Sequence, residues 1–452
     1  MFKKILIANR SEIAVRVIRA AREMSIPCVA VYSEADRESL HISMAEQSVC
    51  IGPAPSAQSY LDGEAILAAA KATGADAVHP GYGFLSENAD FAQACADQGL
   101  AFIGPRPEAI RRLGNKSAAK NLARQAEVPV VPGSLGIVSR DFQREAESVG
   151  FPVMVKAASG GGGKGLRLVR TPDELESQVR LAQSEAQKSF NDGSVYIEKF
   201  ISRPRHVEIQ IAADHAGAVA AFPERDCSVQ RRHQKLIEES PSPAVTPDTR
   251  AAMQRAAVRL IRACGYTNVG TVEFLLAPDG SFYFIEVNTR LQVEHPVTEC
   301  VTGLDLVAAQ IRLAAGEKLP FSPERAAELR GCAIEHRINA EDPDRGFAPC
   351  PGRISGLRLP GGPGIRLDTH IYSGYTVPMY YDSLLGKLIA HAGDRAAAIA
   401  RADRALAELR VEGIATTAGF HRRVLAHPRF RSGDFDTHLV DTMQEERNAQ
   451  ES

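Results

Sequence analysis

The chain has 452 residues, 44% of them hydrophobic, and 53 Lys plus Arg stand against 55 Asp plus Glu. That length and apolar share support two to four domains, and the near-balance of charge gives no bulk reason to bind nucleic acid or an anionic membrane. The eight cysteines are scattered without a CxxC pair or a Cys/His ligand spacing, and MFKKILIANRSEIAV carries no signal-peptide or membrane-length apolar run, so zinc, a disulfide framework, export and spanning are disfavoured and a reduced cytoplasm is expected.

In chain order, KKILIAN, IPCVAVYS, GADAVHPG and LAFIGP alternate with helical stretches at 12–24, 62–73 and 88–98. This is the rhythm of a doubly wound parallel sheet covered by helices, ending near Arg111. Its first turn, ANRSEIA, lacks the G-x-G-x-x-G fingerprint, which gives dinucleotide binding little support. From about 130 to 200 the pattern predicts a compact α+β piece. FPVMVKAA and LRLVR are strands on either side of a glycine run, a helix opens at TPDELE with Thr171 as cap and Pro172 in its first turn, and SVYIEKFI closes the piece as a strand. Residues 203–330 hold strands at 206–213 and 217–222, a helix over 248–264 stopped by Gly265, and a hairpin. Beyond 331 come a Gly/Pro-rich stretch at 349–364, strands up to 390 and an Ala/Arg-rich helix at 394–410. The polar end, QEERNAQES, has the composition of a disordered tail. The expected division is 1–111, 112–330, 331–445, and a tail at 446–452.

Three stretches carry chemistry. VKAASGGGGKGLRL sets four glycines between two strands, flanked by Lys156 and Lys164. Backbone N–H groups without Cβ atoms around them can surround an anion, so a phosphate-covering flap is one reading and a flexible hairpin tip the other. The Walker A spacing is absent. Lys116, in LGNKSAAK, stands at a predicted helix start where a phosphate is welcome.

The second stretch is the hairpin GTVEFLLAPDGSFYFIEVN, turned by Pro278, Asp279 and Gly280. Pairing Leu276 with Ser281 sets Glu273 opposite Phe284, on the face of Glu286 and Asn288. Two carboxylates within roughly 5–8 Å repel unless a cation relieves them, and with an amide oxygen they form a hard site suited to Mg²⁺. The strand continues as EVNTRLQVEHP, where Glu286, Asn288, Arg290, Gln292 and Glu294 recur with period two and would share one face. That alternation is expected to hold best as far as Arg290. The third stretch, ERDCSVQRRHQKLIEESP, gathers Gln230, Arg231, Arg232, His233 and Lys235, either as a solvated basic loop or as anion-binding groups facing the acidic hairpin. His233 by itself reads as structural, and Cys227 as a small buried residue.

Taken together, KAASGGGGKG, IEKFI, RHVEIQ, RDCSVQRRHQK, TVEF and FIEVNTRLQVEHPVTE resemble the biotin carboxylases, ATP-grasp enzymes that carboxylate biotin. The likeness runs from KILIANRSEIA through HPGYGFLSEN to HRINAEDP and YYDSLLGKLI. It implies an N-terminal α/β domain, an ATP-grasp core with a mobile glycine-rich lid near 130–200, and a C-terminal biotin carboxylase domain. It also implies that Lys116, Lys156, Gly162, Gly163, His206, Gln230 and His233 contact ATP, with Glu198, Lys199, Phe200 and Ile201 along the adenine. Glu273, Glu286 and Asn288 would be ligands of Mg²⁺, or of Mn²⁺. Lys235, Arg290, Gln292, Val293 and Glu294 would form the bicarbonate site, with Glu294 as base, and Arg337 would face biotin beside Tyr82 and Gly83.

The same resemblance implies a biotin carboxyl carrier protein and carboxyltransferase subunits as partners, and a homodimer. No Met-Lys-Met, the usual surrounding of a biotinyl lysine, occurs in the chain, so the biotin is expected on a separate carrier. The final acceptor, whether acetyl-CoA, another acyl-CoA, pyruvate or a urea-like compound, is not written in these residues. Departures from the family pattern are Ser11, Asn115 and His336. Competing expectations are an ATP-grasp carboxylate–amine ligase, which leaves Arg290, Glu294 and Arg337 without a reason, and a non-catalytic nucleotide-binding subunit, which would lose a metal ligand or the base.

Overall fold

The computed structural model describes residues 1–134, 136–138, 141–158 and 165–451. Gly162, Gly163 and Lys164, singled out above, lie outside the described residues.

The N-terminal strands form a five-stranded sheet in the order Gln47–Cys50, Cys28–Tyr32, Ile5–Ile7, Ala77–His79, Ala101–Phe102, every neighbour parallel. Reversal of strand order at Ile5–Ile7 makes it doubly wound, as expected. The edge strand Gln47–Cys50 escapes a search for apolar runs, because QSVC is exposed and polar at most positions. A small antiparallel sheet, Leu166–Val169, Val153–Ala157 and Val195–Lys199, packs on the helices Phe142–Val149 and Leu175–Phe190. Pro172 sits in a 3-10 turn ahead of the second helix, and Thr171 caps that turn without its hydroxyl.

The largest sheet is antiparallel and eight-stranded. Its order is Phe282–Asn288, Asn268–Leu276, Arg205–Ala213, Val219–Arg231, Gln234–Ser240, Cys332–Asn339, Leu384–Ala392, Ile365–Thr369. In Arg205–Ala213 the period of two sorts the side chains. Val207, Ile209 and Ile211 enter a core with Met253, Ala256 and Leu260 of the helix Pro247–Ala263, and His206, Glu208 and Gln210 point to the other face. Burial of that second face comes with paired charge. Arg225, fully buried, donates to Glu208, to Gln210 Oε1 at 2.7 Å, to Thr298 Oγ1 at 2.9 Å and to Thr271 Oγ1 at 3.0 Å.

The hairpin register differs from the expected one. Leu276 pairs with Phe282 rather than Ser281, and a bulge between Glu273 and Phe274 sets Glu273 directly opposite Glu286, with Thr271 opposite Asn288. Strict alternation would put Phe284 on the face of Glu286. The extra residue on one strand lets Phe284 and Val287 both enter the core while Glu286 and Asn288 face the site. The polar end is also corrected: Leu439–Glu451 is a helix, whose Leu439, Val440 and Met443 pack on the core under Cys332–Asn339. Composition alone missed this because those anchors lie just ahead of the polar run. Among the described residues no helix is long and apolar enough to cross a membrane.

Candidate functional site

Lys235 stands at the centre. Its Nζ donates to Glu208 Oε2 at 2.8 Å, Glu273 Oε1 at 2.9 Å and Glu294 Oε1 at 2.7 Å. Burial works against the ammonium, but the three carboxylates raise it well above the ordinary lysine range. The run that could have been a solvated basic loop is instead a hairpin that inserts Lys235 into the site, with Gln230 across from it in the ladder. Arg232 and His233 form the exposed tip of that hairpin, both at positive φ.

Glu273 also meets His206, whose Nε2 lies 3.1 Å from Oε2, and Asn288, whose Nδ2 donates at 2.9 Å. Burial opposes its charge, and Lys235 and then His206 overcome that and hold the carboxyl well below the usual range. Glu286 is the opposite case: burial, then Glu273 facing it, pushes its carboxyl up, and Lys116, its Nζ at 3.7 Å, and then His206 offset only part of this. Lys116 opens the helix Lys116–Gln125, and Asn115 accepts from Ala118 N at 2.9 Å as its cap, so this departure from the family pattern has a local purpose. Lys156 is drawn to Glu198 at 2.7 Å, which Lys120 also contacts. The Lys199 side chain turns away to the Gly150 and Phe151 carbonyls, and Phe200 and Ile201 follow it, half-buried.

The alternating row ends sooner than expected. The strand stops at Asn288, and Arg290, Gln292 and Glu294 lie on a turn leading into the helix His295–Thr302. Pro296 in that helix's first turn supplies no N–H to a ladder, which favours a helix start there. The groups still converge through hydrogen bonds rather than a common strand face. Arg290 donates to Asn288 Oδ1 at 3.1 Å and Gln292 Oε1 at 3.0 Å, and its Nε to Glu87 Oε2 at 2.9 Å. Glu294, fully buried, accepts from Lys235 and, at 2.9 Å, from Arg337 Nη2, whose Nε donates to Glu238 Oε1 at 2.6 Å. Burial would raise Glu294, but Lys235, Arg337 and Arg225 hold it well below the usual carboxylate range. Cys227 is buried as expected, its Sγ 3.9 Å from Glu294 Oε1, and burial pushes its thiol far up.

Glu208, Arg225, Glu238 and Glu335 were not singled out by sequence. Period two in RHVEIQ and EHRIN carries the signal for Glu208 and Glu335, because a charged residue recurring on alternate positions of a buried strand must face partners. Glu335 is fully buried opposite Glu238, and neither of its oxygens meets a hydrogen-bond partner among the described residues. Burial, then Glu238, raises its carboxyl well above the ordinary value. A raised carboxyl contributes stability in full below the unfolded value and loses it as pH climbs toward the folded one. Glu335→Gln should therefore match the parent in melting temperature near pH 5 and exceed it increasingly toward pH 8. A gap independent of pH would show that Glu335 is not held protonated.

The other two departures also have local explanations. Ser11 has φ +62°, a conformation glycine takes freely, and its Oγ lies 2.9 Å from His370 Nδ1. His336 is buried edge-on against His421, ring centroids 5.3 Å apart, and burial, then His421, holds it neutral. Tyr82 and Gly83 line a pocket of about 140 Å³ with Ser11 and Asp382.

Comparison with known proteins gives the family. Residues 1–110 match the biotin carboxylase N-terminal domain, 115–322 the ATP-binding domain of the carbamoyl-phosphate synthase L chain, and 335–442 the biotin carboxylase C-terminal domain. A biotin carboxylase of Nostoc sp. is 55% identical over 98% of this chain and 99% of its own. This chain belongs to the biotin carboxylase family. Solved biotin carboxylases superpose closely. One from Campylobacter jejuni, described as a complex with ATP, gives a TM-score of 0.92 at 46% identity, covering 98% of this chain and 99% of that one. The biotin carboxylase domain dimer of Hydrogenobacter thermophilus 2-oxoglutarate carboxylase, with MgADP and bicarbonate, gives 0.91 at 44%, covering 98% of each. The ATP-grasp, biotin carboxylase architecture expected from sequence is thus the architecture of this chain.

Proposed function

We propose that the chain carboxylates biotin with bicarbonate and ATP, by way of carboxyphosphate. The observation that carries this reading is Glu294, a fully buried carboxylate held between two cations, Lys235 and Arg337. A carboxylate there can receive the bicarbonate proton, Lys235 and Arg290 can hold the anion, and Arg337 can turn to the ureido oxygen of biotin. The amide nitrogen of Gln292, buried without a partner among the described residues, is a further donor available to bicarbonate.

In the reaction, Glu294 takes the proton of bicarbonate as its oxygen attacks the γ-phosphorus and ADP departs. Lys116 and Lys156 are the lysines positioned for the phosphates. Carboxyphosphate breaks to CO₂ and phosphate, the phosphate accepts the N1′ proton of biotin, and N1′ attacks CO₂. Arg337 stabilises the enolate oxygen that develops meanwhile.

The residues present fit a divalent cation. Lys235 and His206 already pair with Glu273, so the less compensated carboxylate is Glu286. Glu273, Glu286 and Asn288 would hold Mg²⁺, or Mn²⁺, through oxygen donors. Bound there, the ion would neutralise charge on the phosphate oxygens. Glu286→Gln should raise the Mg²⁺ concentration for half-maximal turnover by roughly tenfold or more; an unchanged requirement would remove Glu286 from the metal site.

We place the biotin on a carrier protein within a multi-subunit carboxylase and the chain in a homodimer. The description of the Hydrogenobacter relative as a dimer supports the second point. The reading predicts that the purified chain, with Mg²⁺ and bicarbonate, hydrolyses ATP faster when free biotin is added. No biotin-dependent increase in folded protein would overturn it.

A further inference from the structure

The turn that presents Glu294 has two of its carbonyls held from outside the backbone ladder. Gln292 O accepts from His295 Nδ1 at 2.8 Å and from the His295 N–H at 3.3 Å. Val293 O, in the peptide leading into Glu294, accepts from Lys387 Nζ at 2.9 Å. Lys387 is fully buried in the strand Leu384–Ala392, directly opposite Arg337 in the ladder. Its charge is met by Glu12 Oε2 at 3.1 Å, itself 1% exposed. The other Glu12 oxygen accepts from the Tyr82 hydroxyl, and the Tyr82 ring lies 5.7 Å from Lys387 Nζ.

A buried ammonium costs several kcal/mol to desolvate, and an apolar side chain of the same length would fill this space more cheaply. The charge and the donor therefore need a reason, and the contacts give one. We propose that Lys387 is a positioning residue: through the Val293 carbonyl it fixes the turn carrying Glu294, and through Glu12 and Tyr82 it ties that turn to the pocket beside Gly83. Occupancy of the pocket and the placing of the base are then mechanically joined. This rests on the reading of Glu294 as the base.

Removing Lys387 alone would leave Glu12 as a buried, unpaired carboxylate, so the test uses Lys387→Met together with Glu12→Gln, which removes both charges. The parent and the double variant are compared in biotin-dependent ATP turnover, in KM for bicarbonate and for ATP, and in ADP binding by calorimetry. Misplacing a reacting group by about 1 Å costs on the order of 10²-fold, and that is the loss of kcat expected. KM for bicarbonate should rise several-fold, and KM for ATP and ADP affinity should stay within about twofold of the parent. A folded double variant with parental kcat overturns the inference. So does a parallel loss of turnover and ADP affinity, which would mark Lys387 as purely structural. A parent with no biotin-dependent turnover would sink the assignment of Glu294 itself.

Discussion

Glu294→Gln should lower biotin-dependent ATP turnover by roughly 10²–10⁴-fold while ADP affinity changes less than about twofold. The side chain keeps its size, so the loss isolates the proton-accepting oxygen. In the resting site that oxygen is a weak base, because Lys235 and Arg337 both bond to the carboxylate and hold it far below its ordinary range. On the proposed function it would gain basicity as the substrates arrive, with bicarbonate drawing on Lys235 and the biotin oxygen on Arg337. Each cation would then restrain the base until its own substrate replaced the carboxylate as partner. A rate within tenfold of the parent, in steady-state assays at saturating bicarbonate, would show that the proton goes elsewhere.

Arg337→Ala should cost on the order of 10²–10³-fold in biotin carboxylation, in line with the loss of one preorganised charge-stabilising group. ATP-site occupancy, read as ADP affinity, should remain. Stability should fall as well, by about 3–5 kcal/mol, because Glu238 and Glu294 lose the cation they share. Glu238, which burial already pushes up to about 7, should recover part of that stability by remaining protonated. Adding Glu238→Gln should restore folding without restoring carboxylation. Equal loss of carboxylation and ADP affinity would place Arg337 in the nucleotide site instead.

The acidic hairpin was legible because its signal is local: a turn at Asp279 and Gly280, and carboxylates on alternate residues. The bulge in it was not, since it depends on Phe284 and Val287 both finding the same core. Arg290, Gln292 and Glu294 were expected together on one strand face, a geometry that stops at Asn288. Lys235 was visible only as one of several cations, and nothing near it in sequence reveals that three carboxylates from three distant segments surround it. Glu12 and Lys387 were hidden for the same reason, being 375 positions apart in the chain and 3.1 Å apart in space. In the N-terminal sheet the apolar strands announce themselves, whereas the polar edge strand does not.

In the proposed reaction bicarbonate, not water, attacks the γ-phosphate. Turnover with ¹⁸O-labelled bicarbonate in unlabelled water, followed by mass spectrometry of the phosphate released, tests it directly. One ¹⁸O per phosphate, formed in step with carboxylated biotin, is the predicted result; phosphate carrying only the oxygen of the solvent would contradict it.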